Sequence, residues 1–419
     1  MTDTQVTEPP ETKGSVNRSW TITLFGTAVG AGILFLPISA GSFGFWPLLI
    51  ATILIGPMTY FAHLAFSWMM SSSRLQGEDV LVVLTDYFGK KAGIVIAIIY
   101  WFTFFPVVLI YGVSIVNTVD SFVVNQLDGP SISRWILAPV LVGLMTLALA
   151  FGDKIMLVVA QFVVYPLIIA LAAVSLYLIP QWDFSSFMDA GPKDAGGLLS
   201  AMILILPVLV FAFSFVAAIS QFVLDMENNY GQNHGRQTTK VIRNATILLT
   251  VFTMFFVWSS ALAMGADGMD VANEQNLPVL SYFANVTGTP FMAYMAPIVV
   301  ICAIASSYFG HSLGTVEGTK YLVGLVAPST KDVPSRKMDL WTYLFIFVVT
   351  SLVAVVNPSI LDMISVVGGI FFALMTYLLP MYAIYKVDAL KKFRNRKANY
   401  FVMVMGAIVL FATIWDMVS

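Results

Sequence analysis

Two stretches hold residue types at spacings that can do chemistry. The first is Gly26-Thr27-Ala28-Val29-Gly30-Ala31-Gly32, in the middle of the apolar run 20–41. Three glycines there loosen a helix and let another group approach its backbone closely. An opened helix offers carbonyl oxygens on one side and the N–H groups of its second half on the other, the latter suited to an anion. The competing reading is close helix packing through small residues. The second stretch is Ala303, Ser306 and Ser307, at i, i+3 and i+4 on one helical face. Two hydroxyls and a backbone carbonyl are hard oxygen ligands for a cation. Equally, such serines bond back to their own helix. His63 and His311 also fall inside apolar runs. Intramembrane ionisable residues are functional candidates, and histidine titrates near neutral pH; the plain alternative is a neutral histidine satisfied between helices.

The elements that must position these groups follow from composition. The 419-residue chain is 58% hydrophobic and 11% charged, with a mean hydropathy of +0.86. Soluble domains are about 25% charged, so the chain reads as an all-α polytopic membrane protein. The single cysteine, Cys302, excludes an intrachain disulfide and a cysteine metal cluster. Residues 1–18 read as a disordered cytoplasmic tail and 19–419 as one transmembrane domain. A bilayer core of ~30 Å takes roughly 20 residues of helix. Eleven spans meet that length, near 20–41, 44–70, 92–120, 134–152, 155–180, 198–224, 241–265, 291–313, 339–356, 359–385 and 399–418.

The loops orient the chain. With those spans, 19 of the 21 basic residues fall on one side, and only Arg134 and Lys193 on the other. The positive-inside rule places the N-terminus in the cytoplasm, and an odd number of spans places the C-terminus outside. The outer 266–290 loop carries Asp267, Asp270 and Glu274 and no basic residue. It reads either as a short helix capping the outer mouth or as a solvated acidic loop. Spans 1–5 (20–180) and 6–10 (198–385) form two blocks of opposite orientation, with 399–418 left over. That is the inverted-repeat plan of many secondary transporters, in which spans 1 and 6 are broken. Span 6 offers only Pro207 and the run Phe211-Ala212-Phe213-Ser214-Phe215 as a weak point.

Collinear stretches then carry a family resemblance. They are GTAVGAGILFLP (26–37), GPMTYFAH (56–63), Asn117-Thr118-Val119, YLIPQW (177–182), Glu274-Gln275-Asn276, Gly310-His311, Asn357-Pro358-Ser359-Ile360-Leu361, Gly368-Gly369 and PMYAI (380–384). Through nearly the whole chain after residue 20, the sequence resembles the bacterial serine and threonine permeases of the hydroxy and aromatic amino acid permease family. The resemblance implies the leucine-transporter (LeuT) type fold, five plus five inverted helices and one extra, and amino acid uptake driven by an ion gradient. Two departures matter. Family members carry an Asn-His-Ser-Pro-like run in helix 6, where this chain has Ser214, Phe215, Val216 and Ala217. Serine permeases carry a lysine where this chain has Ser306.

The resemblance assigns the sites. The carbonyls of Gly26 and Val29, with Ala303, Ser306 and Ser307, match the second sodium site of the leucine transporter. That transporter's first sodium site uses an asparagine where Ile33 stands here, which predicts one sodium ion as the coupling ion. The substrate is expected against Ala28, Gly30, Ala31 and Gly32 of helix 1, Phe211, Phe213 and Ser214 of helix 6, and Tyr111 or Ser114 of helix 3. Tyr111 is also explicable as an ordinary interior tyrosine. The absence of an obvious free acid or base there favours a neutral zwitterion. Proton coupling through His311 or His63, with a serine/threonine or aromatic substrate, is the alternative. Arg18 and Glu317 can pair to close the cytoplasmic path, or stay solvated at helix ends. A channel would need a continuous polar lining, and an enzyme a nucleophile–base pair or metal cluster. Neither pattern is in the sequence. The expectation is a monomeric transporter in the bacterial inner membrane, with the bilayer, a neutral amino acid and sodium or a proton as partners, and with neither an organic cofactor nor a nucleic-acid partner.

Overall fold

A computed structural model describes residues 13–75, 78–149, 153–326 and 335–418. Among the described residues the chain is helical and contains no strand. In chain order the helices are α1 (Lys13–Ala28), α2 (Ala31–Gly41), α3 (Phe45–Ser71), α4 (Val80–Asn125), α5 (Arg134–Leu149), α6 (Asp153–Tyr177) and α7 (Phe184–Asp189). They continue with α8 (Ala195–Ala212), α9 (Val216–Tyr230), α10 (His234–Glu274), α11 (Val279–Val286) and α12 (Pro290–Val326). The last are α13 (Ser335–Val356), α14 (Ile360–Val366), α15 (Leu379–Lys386) and α16 (Lys397–Val418), with a π-wound segment, Val367–Leu378, joining α14 to α15.

Among the described residues, eight helical segments are long and apolar enough to cross a membrane, and α1 with α2 make a ninth if the bent pair is one span. Two shorter apolar helices, Arg134–Leu149 and Tyr165–Gln181, fall where the fourth and fifth spans are expected. Large apolar side chains such as Trp135, Ile169 and Phe411 stand exposed on the outside of the bundle. In water that surface would be unfavourable; against lipid tails it is the expected face. Prolines interrupt many helices, including Pro37, Pro57, Pro106, Pro207 and Pro297. Membrane helices tolerate them because neighbours satisfy the freed backbone groups.

Two of the segments are broken, and they position the site. Helix α1 bends by 58° into α2. The break lies at Val29–Gly30, where Gly30 is extended (φ −143°, ψ −157°). The last backbone bond of the first arm runs from Val29 N–H to the Phe25 carbonyl, 3.1 Å. Ile33 N–H then turns to the Gly30 carbonyl, 3.2 Å, instead of continuing the regular ladder. Helix α8 stops at Ala212, and α9 starts at Val216, with Phe213-Ser214-Phe215 between them. The four arms pair crosswise, α1 against α9 and α2 against α8. Around them α12 packs on α4 and α6, and α13 on α4 and α5.

Several expectations need correction. Lys13 to Arg18 belong to α1 and are helical, while residues 1–12 of the expected tail lie outside the described residues. Polar Asn17 holds that first turn in place. Its side-chain amide donates to Gln237 Oε1 (3.0 Å) and its carbonyl oxygen accepts from the Tyr230 hydroxyl (2.9 Å). The third span is preceded by a separate helical arm, 80–88, set off by the non-helical Gly89 (φ +81°), so the span itself starts close to the expected 92. Between 266 and 290, α10 runs on past a kink at Gly265 (φ +71°) to Glu274, and α11 is the expected short helix. Among the basic residues used for orientation, Lys331 and the side chains of Lys13 and Lys154 lie outside the described residues.

Candidate functional site

The two breaks meet each other and α12. A Cβ built on Gly30 would lie 2.3 Å from Ser307 Oγ and 3.1 Å from the Tyr111 hydroxyl. One built on Gly32 would lie 2.9 Å from the Ala212 Cα and 2.8 Å from the Phe211 ring. Glycine suits this close approach: a side chain at Gly32 would meet the Ala212 backbone, and one at Gly30 would displace the Ser307 and Tyr111 side chains. The opened backbone of helix 1 therefore touches α12 and α4 at Gly30, and the end of α8 at Gly32.

The cation candidates divide. Val29 is buried inside the break, and with Ile33 N–H turned to Gly30 its carbonyl loses its regular helical partner. Gly26 sits one turn earlier, within α1, but the last bond of that arm ends on Phe25, so the Gly26 carbonyl is also past the end of the ladder. Ala303, Ser306 and Ser307 are all buried on α12. The Ser306 hydroxyl donates to the Ala303 carbonyl at 3.1 Å, the back-bonding geometry of a serine on its own helix. That bond uses one proton and one lone pair, and leaves acceptor capacity on both oxygens. The Ser307 hydroxyl faces Gly30 and interacts with the Tyr111 side chain.

Of the substrate candidates, Ala28 ends α1 and Ala31 opens α2; the Ala31 side chain lies outside the described residues. Ser114 is fully buried one turn beyond Tyr111, and its hydroxyl has no partner among the described residues. In α8, Phe211 packs edge-on against Phe372 at 5.6 Å. Phe213 is buried at the break, and the Ser214 hydroxyl accepts from the Val216 N–H at 3.4 Å, at the start of α9. The π-wound segment presses on the same place: a Cβ on Gly368 would lie 2.1 Å from the Pro207 carbonyl and 2.9 Å from Phe211 Cβ. Wide π turns recur at functional sites.

The two histidines occupy different settings. His63 Nδ1 bonds the Thr59 carbonyl at 2.8 Å, and His63 Nε2 receives the Phe215 N–H at 3.1 Å. Both ring nitrogens are used, and the ring is neutral. His311 Nδ1 donates to the Ser307 carbonyl at 2.9 Å, and its ring lies edge-on to Tyr111 at 5.5 Å. His311 thus borders the Gly30 contact directly.

The expected Arg18–Glu317 pair is not formed. Glu317 accepts from the Tyr100 hydroxyl at 3.2 Å, while Arg18 is exposed. The reason is the face of α1 that is buried: Asn17 and Trp20 bond to α10 and α9, through Gln237 and Asp225, which leaves Arg18 outward. Glu317 instead lines a cavity of about 140 Å³ with Asp79, Tyr100, Thr103, Ser220 and Gln221. Val216 and Ala217, the first residues after the helix 6 break, form part of its wall.

Sequence reasoning missed a polar cluster at the far end of α4. Arg134 donates to Asn117 Oδ1 (2.7 Å) and twice to the Ala354 carbonyl (2.9 and 2.6 Å). Asn117 donates to the Asn276 carbonyl and to Asn357 Oδ1, and Asn276 donates to Asn357 Oδ1 and the Pro358 carbonyl. The three asparagines stand out in the sequence only as parts of separate resemblance stretches. Their convergence has no local signal.

With this geometry in place, comparison with known proteins is informative. Residues 13–419 match the family of transmembrane amino acid transporter proteins. The chain is similar to the serine transporter SdaC of Escherichia coli strain K12, at 39% identity over 96% of this chain and 94% of the relative. It is similar to the threonine/serine transporter TdcC of Yersinia enterocolitica serotype O:8, at 36% identity over 99% of both. TdcC of Escherichia fergusonii is 37% identical over 94% of this chain and 93% of the relative.

Proposed function

The chain belongs to the transmembrane amino acid transporter protein family, and from that premise we propose that it is a secondary symporter importing a neutral amino acid together with one sodium ion. It is a multi-pass inner-membrane protein whose relatives are named as transporters, not enzymes. Serine or threonine is the first substrate, as the names of SdaC and TdcC suggest. The proposal takes the chain as eleven spans in a LeuT-type inverted repeat, the N-terminus cytoplasmic and the C-terminus outside. Two broken helices at corresponding places of the two blocks, with arms that pair crosswise, support that plan.

The observation that carries the reading is the meeting of the helix 1 break with Ser307 and Tyr111 at Gly30. The substrate carboxylate is assigned to the N–H groups at the start of α2, near Ala31 and Gly32, and to Tyr111. Its ammonium is assigned to the α8–α9 break near Phe211 and Ser214. Sodium is assigned to the Val29 and Ala303 carbonyls and the Ser306 and Ser307 hydroxyls. The Gly26 carbonyl, which no backbone N–H among the described residues takes up at the end of α1, completes that set. An uncharged oxygen cage holds a cation without placing an ionised side chain at the midplane.

A second reading, proton coupling through His311, is favoured by the contact of that ring with Tyr111 and the Ser307 carbonyl. Uptake of a labelled neutral amino acid panel into proteoliposomes separates the two. The sodium reading expects accumulation on an inward sodium gradient alone. Accumulation on a proton gradient alone would overturn it in favour of His311. Flux with neither saturation nor concentration would indicate a channel.

A further inference from the structure

The break in helix 6 has no glycine, so something other than backbone freedom must hold it open. Its backbone ladders leave three N–H groups between them, those of Phe215, Val216 and Ala217. Phe213 N–H still reaches the Leu209 carbonyl at 3.0 Å, and Ser214 N–H reaches Phe211 at 3.4 Å. On the far side, Ala218 N–H bonds the Phe215 carbonyl at 3.2 Å and starts the next ladder. Phe215 N–H is the first of the three, and Val216 N–H turns to the Ser214 hydroxyl. The acceptor of the Phe215 N–H is the side chain of His63, from 152 residues earlier in the chain.

The histidine is set up for that task. It is 1% exposed on α3, and its Nδ1 is anchored to the Thr59 carbonyl one turn back. A carbonyl can only accept, so Nδ1 carries the proton and Nε2 presents its lone pair. The imidazole lies flat on the Phe215 ring, 3.9 Å between centroids at 27°. One residue thus fixes both the backbone and the side chain of Phe215. The neighbouring Ser214 hydroxyl accepts the Val216 N–H on the other side of Phe215.

We propose that His63 is a positioning residue for the substrate site: by accepting the Phe215 N–H it holds the helix 6 break in the shape that presents Phe211 and Ser214 to the amino acid. This rests on the reading that the substrate binds between the two breaks. It also separates His63 from the coupling chemistry. A protonated ring would set an N–H against the Phe215 N–H, so holding the break and carrying a proton exclude each other.

The test uses full-length protein in proteoliposomes with labelled L-serine, on whichever gradient drives wild-type uptake. Three variants divide the functions of the ring. His63→Gln keeps an acceptor oxygen near the Nε2 position. His63→Phe keeps the stack on Phe215 without an acceptor, and His63→Leu keeps neither. Leaving a buried donor unpaired in the bound geometry should raise KM for serine about tenfold in the Phe and Leu variants. The Gln variant should stay within about threefold of wild type. Vmax per folded transporter, counted by size-exclusion of the purified protein, should change far less. A wild-type KM in either acceptor-free variant, or a Gln variant as impaired as the Phe variant, overturns the proposal. If the Phe variant does not fold, the Leu variant decides, and if neither folds, a Gln variant with impaired KM still refutes it while one near wild type supports it. Failure of the wild type to concentrate any amino acid would instead remove the transport reading itself.

Discussion

At Gly30 the decisive quantity is space. Its φ is one that any residue adopts, so backbone freedom is not what requires glycine. Ser307 Oγ and the Tyr111 hydroxyl occupy the volume a side chain would need. Gly30→Ala is therefore expected to cut uptake at least about tenfold at normal membrane abundance, since overpacking of this kind costs roughly 1–3 kcal/mol. Gly32→Ala should be worse, because it meets backbone at Ala212 that cannot rotate away. Gly14→Ala, with nothing within 4 Å, is the matched control and should transport normally. Uptake per transporter in the three proteins checks the order. The helix break at Gly30 and the close approach at Gly30 and Gly32 were legible in the sequence, because three glycines in seven residues is a local signal. The use of His63 was not, because its partner is a main-chain N–H far away in sequence, and any residue but proline could supply that donor.

At the scale of elements, the break in helix 1 is written in its glycines, whereas the break in helix 6 depends on contacts with α3. Only the inverted-repeat argument anticipated it. The same contrast applies to the clasp at the end of α4, where the α10–α11 turn, the start of α5 and the α13–α14 turn meet. Asn276 and Asn357 both adopt left-handed backbone, φ +54° and +56°, a conformation that asparagine tolerates better than other non-glycine residues. Their amides then close the network with Asn117 and Arg134. Asn357→Ala loses the acceptor and strains the backbone, and should lower unfolding stability by about 2–4 kcal/mol. Asn357→Gly loses only the hydrogen bonds and should fall between that variant and wild type. Thermal unfolding in detergent checks this; equal stability of the alanine variant and wild type would contradict it.

For the whole molecule, charge and hydropathy made the membrane class and the helical segments legible, since burial in lipid imposes length and composition on every span. They left the crosswise pairing of arms unwritten, because pairing depends on shape and not on composition. The orientation is testable through the single cysteine. In a Cys302→Ala background, a cysteine at Lys193 should react with an impermeant maleimide on intact cells. One at Lys391 should react only after permeabilisation, and the reverse pattern would contradict the topology. Under the proposed function, an uncharged oxygen cage on α12 and helix 1 couples sodium to transport. The Ser306 hydroxyl is buried beside the Ala303 carbonyl, so a lysine there would put an ammonium at the site proposed for sodium. The most direct measurement is sodium-dependent serine uptake in proteoliposomes of wild type and Ser306→Lys, side by side. Wild type is expected to concentrate serine only on a sodium gradient, and the lysine variant no longer to respond to sodium. Sodium-driven accumulation that survives Ser306→Lys would contradict that coupling.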